Sequence, residues 1–150
     1  MTQVVQVTHA ALSGGRELFA LDPPGGGWRT WDGVPICAPA FQLQARSSSG
    51  EFDVFTEDID NGQWCFRRHR RISMEAAGVI TESPAGLPIV RPEIQLLYMA
   101  KSTELKNAHD FETARPHLTD AATKWLANAL RITLPEHPWI PQLEQRAVEW

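Results

Sequence analysis

The apolar pattern changes period at Pro92, and that change limits what the chain can fold into. Upstream of it, apolar residues alternate with polar ones, as in strands; downstream they recur every three or four positions, as on one face of a helix. Pro92 suits the first turn of a helix, where no N–H is needed, and Glu93 beside it favours the positive end of the helix dipole. The order of strands followed by helices implies an α+β fold: a small, mostly antiparallel sheet over residues 1–90 and a helical part over 91–150, within one domain of 150 residues.

In the first part, Glu17 to Leu21 reads as a short strand, and DPPGGGW, residues 22–28, as a turn cluster. Pro35 to Arg46 alternates through Ile36, Ala38, Phe41, Leu43 and Ala45, and SSSG at 47–50 supplies the next turn. Asn61-Gly62 is a strong signal for a two-residue type I′ hairpin. It is expected to join a strand over Glu51–Glu57 to one over Gln63–Arg68, so that the acidic stretch EFDVFTEDIDNGQW lies on a hairpin.

In the second part, Leu87 to Val90 is extended. The first helix presents Ile94, Leu97, Tyr98 and Lys101 at helical spacing. A second is expected over Glu104–Ala114, with Leu105, Ala108 and Phe111 inward and Pro116 as its stop. A third starts from an N-cap at Thr119 or Asp120 and runs through Trp125, Leu126, Ala129 and Leu130. PEHPWIP breaks the pattern, and Leu143 to Trp150 adds a last turn or two.

Composition narrows the function classes. With 43% hydrophobic and 21% charged residues the chain reads as a soluble globular protein. No apolar run approaches the ~20 residues of a membrane span, and the N-terminus shows no basic leader, so the expected compartment is the cytoplasm. Cys37 and Cys65 fit buried thiols better than a zinc site or disulfide framework. A net charge of -4 argues against a general nucleic-acid binder. The run Arg67-Arg68-His69-Arg70-Arg71 reads either as a solvated strand end facing the acidic stretch or as an anion contact. No Gly-x-Ser-x-Gly elbow marks a hydrolase.

The segments EFDVF, NGQWCFRR, GLPIVRPEIQLLYMAK, KNAHDF, HLTDAATKWLANAL and HPWI occur in an order and spacing that resemble the aminoglycoside- and lincosamide-modifying adenylyltransferases of the polymerase-β-type nucleotidyltransferase superfamily. The resemblance covers roughly the C-terminal two thirds of such proteins and residues 16–143 here. It implies adenylyl transfer from MgATP to a hydroxyl of a small molecule, with Mg²⁺ ions held by an Asp-x-Asp pair and a third carboxylate. In that register the third carboxylate is Asp53, and strand alternation sets Glu51 beside it.

The Gly-Gly-Trp turn and Asp-x-Asp strand of the family do not appear upstream of Glu17, where MTQVVQVTHAALSGGR has no acidic residue. Gly26-Gly27-Trp28 copies the turn and Asp58-Ile59-Asp60 copies the pair, the latter at a hairpin tip open to solvent. Asp53, Asp58 and Asp60 are the candidate metal ligands. Lys101, Lys106 and Asp110 match positions near nucleotide phosphates or the substrate rim, or else serve the helix dipole and an i,i+4 pair. His109 and His137 read as core or surface histidines. The expectation is a nucleotidyltransferase-like protein that is catalytically incomplete. The alternatives are an active enzyme using Mg²⁺ and ATP, and a structural homodimer paired through sheet edges that residues 2–8 would otherwise cover.

Overall fold

The computed structural model describes residues 14–21, 26–34, 41–102 and 104–145. Cys37, Trp150 and the strand expected at residues 2–8 lie outside the described residues. The fold is a small α+β fold, antiparallel sheets followed by four helices among the described residues. Its contacts divide it into two compact units, Met1–Arg67 and Arg68–Trp150. None of the described helices is long and apolar enough to cross a membrane.

In the first unit, β1 (Glu17–Leu21), β2 (Trp28–Thr30), β3 (Gln42–Ser47) and β4 (Gly50–Phe55) form an antiparallel sheet in the order β2-β1-β3-β4. Alternation sends Leu18, Ala20, Leu43 and Ala45 to one face, where with Trp31 and Val54 they make the unit's apolar cluster. Trp31 meets its polar need locally, donating its indole N–H to the Val34 carbonyl at 2.8 Å. The SSSG turn is real: Ser47 pairs with Gly50, whose φ of 138° suits glycine.

The acidic stretch departs from its expected pairing. β4 pairs with β3, not with residues 63–68, and the hairpin turn joins two shorter strands, β5 (Asp58–Asp60) and β6 (Gln63–Cys65). The turn itself is as read, with φ of 48° at Asn61 and 77° at Gly62. What breaks the long strand is the β3–β4 ladder, which runs on to a Thr56 N–H bond to the Phe41 carbonyl, 2.9 Å. Glu57 then turns its carboxylate to accept from the Trp64 indole N–H at 2.7 Å. A short strand also forms at residues 28–30, beginning at the last residue of the cluster read as a turn.

In the second unit, β7 (Ser73–Glu75) and a single 3₁₀ turn (Ala76–Gly78) precede a hairpin of β8 (Ile80–Glu82) and β9 (Pro88–Val90). Helices α1 (Pro92–Met99), α2 (Leu105–Ala114), α3 (Asp120–Thr133) and α4 (Trp139–Gln145) follow. Pro92 opens α1 as expected. Thr119 caps α3, its hydroxyl accepting from the Ala122 N–H at 3.2 Å. Along α3 the residues Ala122, Leu126, Ala129 and Leu130 are buried, a stripe of helical period.

Two helices differ from expectation. On α2, Leu105 is 89% exposed and Ala108 is exposed, so the inward line runs instead through Asn107 and Phe111. Asn107 donates to the carbonyls of Met99 at 3.1 Å and Ser102 at 3.3 Å, closing the C-terminal end of α1. The last helix begins at Trp139, because Pro141 falls in its first turn, where a missing N–H costs nothing.

Phe111 and Trp139 stack with ring centroids 4.2 Å apart and planes 3° apart. His137 meets the Trp139 ring edge-on, centroids 4.7 Å apart, and its Nδ1 accepts from the Trp139 N–H at 3.3 Å. Burial lowers the His137 pKa below the ordinary 6.5, outweighing a hydrogen bond to the backbone of Ala100 that favours the charged ring. The neutral ring therefore ties the start of α4 to the end of α1.

Two arginines of the basic run lie over aromatic rings. The Arg67 guanidinium lies 4.8 Å from the Phe41 ring centroid, and Arg68 lies 5.6 Å from that of Tyr98 while donating to the Tyr98 carbonyl at 2.9 Å.

Replacing Thr119 by alanine is expected to cost about 1 kcal/mol of stability, read as a lower urea midpoint at unchanged slope. Because the folded state holds His137 below its unfolded pKa, its contribution is full above pH 6.5 and declines as pH falls from there towards the lowered folded value. Urea unfolding across that window should show this decline, and His137→Gln should flatten it.

Candidate functional site

Two of the carboxylates singled out by sequence, Glu51 and Asp53, stand on the sheet face opposite the apolar cluster. Register sets Asp53 against Gln44 and Glu51 against Arg46. Gln44 donates its amide to Asp53 Oδ1 at 3.1 Å, and Arg46 in turn donates to the Gln44 side-chain carbonyl. Arg46 also ion-pairs Glu51 at 3.8 Å and lies over Phe19 and Trp28, at 4.4 and 5.6 Å from their ring centroids. Asp53, Gln44, Arg46 and Glu51 thus make one continuous polar ladder, all of it at least partly exposed. Such a face can hold a polar ligand against Trp28 and Phe19, and it carries both signs of charge.

Asp60 is exposed and stands opposite Gln63 next to the hairpin turn, and Asp58 stands opposite Cys65. Among the described residues, no three His, Cys, Asp or Glu side chains form a group able to hold a metal ion. Gly26 and Gly27 lead into β2, not into a helix N-terminus that would receive a phosphate. Lys101 follows the C-cap of α1 and is exposed. Lys106 and Asp110 lie one turn apart on α2, and no ion pair joins them. Glu51 and Asp53 belong to the first unit, and these three to the second.

A concave site that sequence reasoning missed lies in the second unit, where α1 and α3 begin. A cavity of about 240 Å³ is lined by Thr81, Arg91, Glu93, His117, Leu118 and Ala122, among others. The strand-to-helix junction places Arg91 and Glu93 there: Arg91 bonds back to the Val79 carbonyl through its N–H at 2.9 Å, and Glu93 sits on the first turn of α1. Glu93 is buried together with Ile94, Leu97 and Ala100. An acidic residue on the apolar face of a helix was the available signal, and the favourable dipole position explained it too readily.

No family model, curated protein or solved structure matched the chain in comparisons with each.

Proposed function

We propose that the chain is a nucleotidyltransferase-like protein, related in type to the antibiotic adenylyltransferases, that works in the cytoplasm and by itself binds rather than transfers. The relationship is supported by the order of the quoted segments, and the compartment by the sparse use of cysteine. The observation that carries the binding reading is Arg46. Its guanidinium pairs with Glu51 on the face that bears Asp53, so the sheet face that would offer carboxylates to hard cations also holds a fixed positive charge from β3.

Adenylyl transfer needs its metals clamped by several carboxylates at once, so that charge on the phosphoryl oxygens is met on both the attacking and the leaving side. Glu51 has Arg46 as an exposed ion-pair partner at 3.8 Å, and Asp53 has one oxygen engaged by Gln44. The residues of this face therefore do not fit a two-metal clamp, and no transfer step is derived through them. Asp53, with Asp58 and Asp60, remains the set that would meet Mg²⁺, and Lys101, Lys106 and Asp110 the set that would meet phosphates or the rim of a small-molecule ligand.

Calorimetric titration of the protein with ATP in excess Mg²⁺ tests this reading. It should give no binding at micromolar nucleotide and no transfer of AMP to hydroxyl acceptors. Micromolar binding that Asp53→Asn abolishes would establish a metal-holding carboxylate and turn the reading into that of an active adenylyltransferase.

A further inference from the structure

Glu93 is 5% exposed, yet its carboxylate accepts no hydrogen bond from the described residues. Its one partner is the Arg91 guanidinium, whose nearest nitrogen is 3.5 Å away. Charge-assisted hydrogen bonds are about 2.7–2.9 Å long, so this contact is an ion pair without a bond. A carboxylate has roughly four acceptor positions, and those of Glu93 are open to the cavity between the starts of α1 and α3, where a ligand can reach them.

The same cavity carries the opposite charge. Arg91 is about half exposed, with Glu93 as the partner of its guanidinium, and His117 is exposed with no side-chain partner among the described residues. A simple cation would satisfy Glu93 but meet Arg91 and the positive end of the α1 dipole. A simple anion would satisfy those groups but meet Glu93. A compact ligand bearing one charge of each sign satisfies both. Leu118 and Ala122 give the remaining wall an apolar character.

We infer that this cavity binds a free α-amino acid as its zwitterion, with the ammonium group on Glu93, the carboxylate on Arg91 and His117, and an apolar side chain against Leu118 and Ala122. The volume of about 240 Å³ accommodates a ligand of that size. This binding is independent of the nucleotidyltransferase reading and stands or falls apart from it.

The test is an NMR titration of the full chain with L-leucine, N-acetyl-L-leucine and L-leucinamide at millimolar concentration. N-acetylation removes the ammonium charge and amidation removes the carboxylate, so the amide also stands in for the N-terminus of a peptide. L-Leucine should shift the backbone amides of Glu93, Leu118 and Ala122 and bind about tenfold more tightly than either derivative. Glu93→Gln should weaken leucine binding by about tenfold, and His117→Asn, at an exposed position, provides the same readout if the first variant fails to fold. Equal binding of the three compounds, tighter binding of either derivative, or no shift of those amides with any of them would overturn the inference.

Discussion

The helical unit depends on one aromatic contact, the parallel stack of Phe111 on Trp139. Phe111 comes from α2 and Trp139 opens α4, so the stack joins those two helices. The end of α1 is then tied in from both sides, by Asn107 donating to the Met99 carbonyl and by His137 bonding to Ala100. α3 packs against both α1 and α4 and completes the layer. Truncating either ring would cost about 3–5 kcal/mol, a large part of what holds a domain of this size together. The polar contacts contribute less each.

Local signals in the sequence were read correctly where the physics is local. Pro92 and Thr119 mark helix starts because the missing N–H and the capping hydroxyl act within one turn, and Asn61-Gly62 marks its turn because both residues tolerate positive φ. Choices decided by distant partners were not legible. Phe52 and Val54 alternate equally well whether their strand pairs with β3 or with residues 63–68, and nothing within the strand selects between them. On α2 the apolar spacing of Leu105, Ala108 and Phe111 pointed inward, but Asn107 takes an inward place, where its amide donates to the Met99 and Ser102 carbonyls beyond the end of α1.

The candidate sites divide in the same way. Strand alternation was enough to set Glu51 and Asp53 on one face, but it could not show that Gln44 and Arg46 stand opposite them. The cavity at the starts of α1 and α3 gathers Thr81, Arg91, Glu93 and His117 from separate stretches of chain, a juxtaposition without any local signature. Three of the segments quoted for the resemblance, KNAHDF, HLTDAATKWLANAL and HPWI, supply Asn107, Phe111, Thr119, His137 and Trp139, all engaged in capping or packing. Chemistry therefore has to be argued from the sites.

The dependence of the helical unit on its aromatic stack is tested most directly by a double-mutant cycle. Phe111→Leu, Trp139→Leu and the double variant are compared with the unaltered chain by urea unfolding. The expected coupling is about 0.5–1.5 kcal/mol in favour of the pair. Additive losses, with no coupling beyond the measurement error, would contradict the view that this contact organises the helices.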